Sequence, residues 1–350
     1  MGNILSAWIT VNRACNLHCE WCYAKVAMKK SDMNISLLKQ LVDISADVGI
    51  ADFKLIGGEP TIYPHFFDVI EYLMDRQANI VVVSNGIRLS DFDFCNRLAK
   101  YHYPKLHFGI SLKGASEEDY LRDCGAIGFS KVLAGLKNCD DFGLSYSLSY
   151  VLTSRNIEKL TTFAQSILAH GIRKRILMSY CNDAISDIDH PCELQLKMDY
   201  MFAEQYDAVS ELLNDNISLY QIFPLCMCEA VTFQKMLSKH QIMTTCHVHK
   251  RNGVIFDTDG SILLCNHLAG YGIGKFGIDF TDASSFRSFW NSEYAVNLHK
   301  KFTMLPSCDC KDCSYLSQCG GGCLVQWFTQ HFDEYKNFVD QRAKSQRSES

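Results

Sequence analysis

A chain of 350 residues, 47% hydrophobic and 21% charged, is long enough for a sizeable core and a second small domain. A formal charge of −5 leaves no surplus of Lys and Arg for phosphates, which makes nucleic acid a poor partner, and no apolar run reaches the ~20 residues of a membrane helix. Met1 to Trp8 is too short and uncharged for a signal peptide, which predicts a cytoplasmic protein, and 17 cysteines in a reducing compartment point to metal or redox chemistry rather than disulfides.

Along the chain, short β-rich runs predict strands over Ala7–Val11, Asp52–Ile56, Asn79–Val83, Leu106–Leu112, Leu144–Leu152 and Arg175–Ser179. Amphipathic segments between them predict helices over Ser36–Ala46, Phe66–Arg76, Asp91–Lys100, Gly128–Asn138 and Ile157–His170. This alternation implies βα units on a parallel sheet, an α/β fold of the partial (β/α)6 barrel type, with its sites at the C-terminal strand ends. Residues 193–239 read mostly as helix, with an apolar stripe from Met198 to Leu212 that packs a core. After about residue 240 the pattern changes to short Gly-rich and Cys-rich elements. The expected organisation is a core over 1–190, a helical bridging segment over 191–239 and a C-terminal Cys-rich domain over 240–350.

Directly after the first strand, Cys15, Cys19 and Cys22 form C-x3-C-x2-C. Three thiolates on one loop can hold three corners of a 4Fe-4S cluster and leave the fourth iron open to a cofactor or substrate. A zinc loop is the alternative, but a closed zinc site wants four ligands and the nearby candidate, His18, lies inside the loop. At the end of the second strand stands Gly57-Gly58-Glu59-Pro60, where glycines permit close backbone approach and the proline fixes the following turn.

Together these motifs resemble the radical S-adenosylmethionine (SAM) superfamily, through Cys15, Cys19, Trp21, Cys22 and the GGEP segment. The resemblance implies that the open iron chelates SAM, that Trp21 lies near its adenine, and that Gly57, Gly58, Glu59 and Pro60 bind its amino group. It implies reductive cleavage of SAM to a 5′-deoxyadenosyl radical that takes hydrogen from substrate. Asn85 after the third strand, Ser111 in the fourth and Asn156 after the fifth are fainter echoes of the same family, and each could equally cap the helix that follows. Lys113 stands where relatives often carry an acidic residue.

Farther on, Cys246, Gly260 and Cys265 give C-x13-G-x4-C, and Cys310, Cys313, Cys319 and Cys323 give C-x2-C-x5-C-x3-C. By spacing this is either two clusters or a cross-braced zinc pair. The array resembles the SPASM extension of radical SAM enzymes. That resemblance assigns Cys246, Cys265 and Cys323 to a first auxiliary 4Fe-4S cluster and Cys310, Cys313 and Cys319 to a second. The family's last cysteine has no counterpart after Cys323, so the second cluster is expected to use Cys308, His331 or a substrate atom as its fourth ligand. Cys226 and Cys228 read as buried free cysteines or spare ligands. Cys95, Cys124, Cys139, Cys181 and Cys192 lack ligand spacing.

The leading expectation is a radical SAM oxidoreductase that modifies a ribosomally made peptide, for example by side-chain crosslinking. It would draw electrons from a reductant protein such as flavodoxin or ferredoxin and use a separate leader-peptide-binding protein. Asn266 replaces the acidic residue expected after Cys265 in sulfatase maturases, and a neutral amide cannot serve as that base. A dehydrogenase acting on a small molecule and a non-catalytic metal-binding interaction protein are the alternatives. Tyr180 and His267 are the candidate proton-handling residues.

Overall fold

The computed structural model describes residues 4–24, 31–153, 155–181, 193–222, 224–227, 230–244, 246–325 and 327. His331, Cys192 and Cys228 lie outside these described residues. In chain order the elements begin with β1 (Ser6–Asn12), α1 (Ile35–Asp47), β2 (Asp52–Gly57), α2 (Phe66–Asp75), β3 (Asn79–Ser84), α3 (Phe92–Ala99), β4 (Leu106–Leu112), α4 (Glu117–Cys124), α5 (Phe129–Asp141) and β5 (Ser145–Leu152). They continue with α6 (Leu160–Ala169), β6 (Ile176–Tyr180), α7 (Glu193–Leu212), β7 (Ile217–Ile222), α8 (Ala230–Ser238), β8 (Ile242–Met243) and α9 (His247–Lys250). The last are β9 (Gly253–Phe256), β10 (Ser261–Leu263), β11 (Gly272–Lys275), α10 (Ala283–Trp290), α11 (Glu293–Phe302) and α12 (Leu316–Cys319).

The chain packs as two units, residues 1–149 with 250–301 and residues 150–249 with 302–350. In the first, the strands follow the order β11-β10-β9-β1-β2-β3-β4. β1 runs parallel to both β2 and β9, and β2, β3 and β4 continue parallel. β10 runs antiparallel to both of its neighbours, β9 and β11. A strand flanked on both edges and covered on both faces reads as an apolar run. β1 fits: Ala7, Ile9 and Val11 are buried, and Thr10 and Asn12 are buried with them.

The helices start and stop for local reasons. Asn34 caps α1 by accepting from Ser36 N–H (2.8 Å), and Asp91 caps α3 through Asp93 N–H (3.0 Å), which satisfies amides that have no intrahelical partner. One face of α1 buries Leu38, Leu41, Val42 and Ile44. Each such fully buried aliphatic side chain contributes about 1.5–3 kcal/mol. All parallel strands point the same way, so Asn12, Gly57, Ser84 and Leu112 end them at one edge of the sheet.

In the second unit, β6, β7 and β8 pair in parallel. The sequence reading of 193–239 as mostly helix does not anticipate β7, which lies between α7 and α8. Asn214 (φ 49°) and Asp215 (φ 61°) adopt left-handed backbone and break α7. The segment beyond is a strand, with Ile217, Ser218 and Leu219 buried and Tyr220 exposed. Asn and Asp tolerate left-handed geometry, so that break was available in the sequence. Helix α4 was not anticipated either, although Ser116 caps it through Asp119 N–H (3.1 Å) and three acidic residues fill its first turn. No helix among the described residues is long and apolar enough to cross a membrane.

Candidate active site and cysteine arrays

The loop leaving β1 carries Cys15, Cys19 and Cys22. Cys19 is buried and the other two are half-buried. All three pack with Leu17, Trp21 and Cys124 in one cluster. Helix α4 straps the loop: His18 N–H donates to the Cys124 carbonyl (2.9 Å) and Glu20 N–H to the Asp123 carbonyl (3.1 Å). The sulfurs of Cys19 and Cys124 lie 3.4 Å apart. That hydrogen bond lowers Cys19 to about 6 despite its burial, and raises Cys124. Burial pushes Cys15 up to about 11. Cys124 was legible only through the fold, because nothing in its sequence spacing ties it to Cys19.

Gly57 and Gly58 let two strand ends meet. Gly58 N–H donates to the Asn12 carbonyl (3.0 Å) and Glu59 N–H to the Ala14 carbonyl (2.8 Å). A Cβ on Gly57 would fall 2.3 Å from Asn12 Oδ1, and one on Gly58 2.1 Å from the Ala14 carbonyl oxygen, so only glycine fits. Glu59 is buried. Its carboxylate accepts from Thr61 N–H (3.1 Å), Thr61 Oγ1 (2.7 Å), Ser84 Oγ (2.8 Å) and Asn85 N–H (2.7 Å). It thereby fixes the turn at Pro60 and ties the end of β2 to the end of β3. Asn85 completes the link, because its Nδ2 donates to Asn16 Oδ1 on the cysteine loop (2.6 Å). Three segments, the cysteine loop, the GGEP turn and the end of β3, therefore form one hydrogen-bonded frame.

Ser111 lies buried in β4 and accepts a hydrogen bond from Lys113 Nζ (2.8 Å). That ammonium lies close enough to favour the ionised forms of Cys15 and Cys19. Asn156, in the second unit, uses its side chain locally: Oδ1 accepts from Thr153 N–H (2.8 Å) and Nδ2 donates to the Val151 carbonyl (2.9 Å). Tyr180 ends β6, buried against the edge of Phe202. In the first unit, Cys265 Sγ lies 3.6 Å from both Asn266 Oδ1 and His267 Nδ1. The Tyr23 ring sits 4.8 Å from His267. Burial lowers His267 to about 4, which keeps it neutral near pH 7. The adjacency of Tyr23 to this turn was not foreseen from sequence.

In the second unit, four cysteines line one cavity of about 270 Å³: Cys226, Cys310, Cys313 and Cys319, with Phe233 and Leu316 among the apolar walls. Burial first, then the neighbouring Cys319 and Cys310, push the Cys226 thiol up to about 12. Cys310 to Cys319 is a compact run of turns, with Cys313 N–H bonded to the Cys310 carbonyl (3.3 Å) and Cys319 N–H to the Tyr315 carbonyl (2.8 Å). Gly320, Gly321 and Gly322 follow, all at positive φ. Cys308 turns its thiol toward the Asp309 carboxylate (3.7 Å). Cys246 and Cys323 are half-buried in this unit.

Among the described residues, no three Cys, His, Asp or Glu side chains close around the position of a single ion. Thiolates that each bind a different iron of a cluster stand apart around it, and soft sulfur donors are its usual ligand set. The donor set of both cysteine groups, soft sulfur, fits an iron-sulfur cluster.

Comparison with known proteins agrees. The radical SAM superfamily model matches residues 9–167. The chain is 23% identical over 331 residues to the mycofactocin maturase MftC of Mycobacterium tuberculosis (strain CDC 1551 / Oshkosh), which covers 90% of this chain and 77% of the relative. Its fold matches anSMEcpe with AdoMet bound, at a TM-score of 0.70 and 18% identity, covering 97% of this chain and 98% of the other. It also matches Streptococcus suis SuiB bound to its precursor peptide SuiA, at a TM-score of 0.71 and 15% identity, over 93% of this chain and 73% of that one. Residues 9–167 thus match the radical SAM superfamily, and the chain is similar to the mycofactocin maturase over most of its length.

Proposed function

We propose that this protein reductively cleaves SAM and uses the resulting radical to modify a peptide oxidatively. The observation that carries this reading is the likeness to mycofactocin maturase across 90% of the chain, extending well past the radical SAM domain into the Cys-rich region. Two solved structures of the same fold hold peptides, SuiB with its precursor SuiA and anSMEcpe with the Cp18Cys peptide.

In this reading Cys15, Cys19 and Cys22 hold the catalytic cluster, within a core over 1–190. When bound, a 4Fe-4S cluster supplies the electron that splits SAM into methionine and the 5′-deoxyadenosyl radical. The protein's part is to position and to exclude water. The frame built by Glu59, Ser84, Asn85 and Asn16 fixes the cysteine loop against the GGEP turn, with Trp21 packed beside the cysteines. Gly57, Gly58 and Pro60 shape the adjoining backbone. Ser111 offers a hydroxyl oriented by Lys113, and Asn156 braces the end of β5. His267 and Tyr180 remain the candidate proton-handling residues, with His267 held neutral by burial. Beyond a bridging segment over 191–239, a SPASM-like region over 240–350 contributes Cys310, Cys313 and Cys319 to one auxiliary cluster. Cys246, Cys265 and Cys323 are ligands of another by the resemblance of the array to the SPASM extension. A flavodoxin or ferredoxin supplies electrons in the cytoplasm, and a separate protein presents the leader peptide.

The experiment is anaerobic reconstitution with iron and sulfide, followed by 5′-deoxyadenosine measurement with a strong reductant, with and without candidate precursor peptides encoded beside the gene. Peptide-stimulated cleavage and a mass loss of two hydrogens from the peptide are expected. Stimulation by a small metabolite and by no peptide would overturn the substrate assignment, and zinc without cleavage would overturn the enzyme.

A further inference from the structure

The resemblance that assigns Cys323 to the other auxiliary cluster leaves Cys310, Cys313 and Cys319 one thiolate short of the four that a fully protein-ligated cluster needs. The fold supplies one from a distant part of the chain. Cys226 lines the same 270 Å³ cavity as those three cysteines. It reaches the cavity from the short turn Leu225–Met227 that precedes α8. The cavity is many times the ~30 Å³ share of one water, so the four cysteines line a volume larger than a single ion.

Three contacts hold that turn in place. The ring of Phe233 on α8 packs edge-on against Tyr315, with centroids 4.7 Å apart. Gln234 Nε2 reaches Tyr315 Oη at 3.3 Å. Gly322 faces the Pro224 ring, where a Cβ would lie only 3.3 Å from three of its carbons. Its neighbours are as constrained, since a Cβ on Gly321 would lie 2.9 Å from Pro306 and one on Gly320 2.8 Å from His249. Three successive glycines at positive φ thus let the cysteine turn fold back under the segment that carries Cys226. Cys308, the nearer candidate in sequence, faces Asp309 instead.

We infer that Cys226 is the fourth thiolate ligand of the iron-sulfur cluster held by Cys310, Cys313 and Cys319, replacing a cysteine expected after Cys323. The inference rests on the reading of that array as an iron-sulfur site. It makes this auxiliary cluster closed, with no iron free to bind substrate, and assigns it to electron transfer. Each ligating thiol releases its proton on binding.

The test uses the full chain carrying Cys15→Ala, Cys19→Ala and Cys22→Ala, so that only the C-terminal sites bind iron. Iron and sulfide per chain are counted after reconstitution, and electron paramagnetic resonance spectra are recorded for this parent and for added Cys226→Ala, Cys226→Ser and Cys308→Ala. Cys226→Ala is expected to lose about four irons or to convert that cluster to a three-iron form with its own signal. Cys226→Ser should keep the irons with a shifted spectrum, and Cys308→Ala should match the parent. Circular dichroism melts report whether each variant folds. Iron and spectra unchanged in folded Cys226→Ala and Cys226→Ser would overturn the inference alone. A parent that binds zinc, or no iron, would overturn the array reading and the inference with it.

Discussion

The two cysteine groups reach their arrangements by opposite routes. The first is local: Cys15, Cys19 and Cys22 share one loop, and the surroundings only brace it, through α4 and through the Glu59 frame. The second is assembled: Cys310, Cys313 and Cys319 lie close in sequence, but their cavity is completed by Cys226, brought there by packing of the 224–238 segment against the glycine turn. A ligand set written within one loop survives many changes elsewhere, whereas one drawn from two segments depends on how those segments pack. The difference predicts where each site is fragile.

The largest effect belongs to the local group. Replacing Cys15, Cys19 and Cys22 together with Ala should reduce 5′-deoxyadenosine formation to reagent background while iron remains in the C-terminal sites. Persistent product would break the assignment of the loop as the catalytic centre.

Next in size is the buried brace of the same unit. Arg13 pairs with Asp257, their side chains only 2% and 0% exposed. Arg13→Ala strands a buried carboxylate, and a loss of about 3–5 kcal/mol in urea unfolding is expected. Glu59→Ala should cost about 3 kcal/mol or more, because the buried donors on Thr61, Ser84 and Asn85 lose a charged acceptor. Equal stability of Glu59→Ala and the parent would show that the frame does not hold the loop.

Gly321→Ala sharpens the comparison from the other side. Left-handed backbone and the nearby Pro306 ring both resist a Cβ. The expected outcome is fewer irons in the C-terminal sites with SAM cleavage intact. Smallest is Gly143→Ala, at positive φ in open space, where only backbone strain of about 1–2 kcal/mol should appear in a thermal melt. If Gly143→Ala harmed iron binding as much as Gly321→Ala, crowding at the glycine turn would not be the cause.

Much of this was legible in the residues themselves. The six core strands fall within a residue or so of their predicted bounds, since β-branched runs between turn signals set them and β4 matches end to end. The C-x3-C-x2-C loop and the GGEP turn announce themselves because their chemistry is carried by residues adjacent in sequence. The glycines of that turn were expected to admit a ligand. The structure shows the close approach they make to Asn12 and Ala14, a contact between two strand ends that no single segment encodes.

What the fold decided are the pairings of residues far apart in the chain. Cys124 beside Cys19, Asp257 beneath Arg13, Tyr23 against His267 and Cys226 in the cavity of Cys310 each require two segments to be packed before they meet. Spacing along the chain specifies a ligand set only when the backbone between the ligands is a single turn or loop. Once the ligands come from separate elements, side-chain packing and the few conformations open to Gly320, Gly321 and Gly322 determine which thiol completes the site.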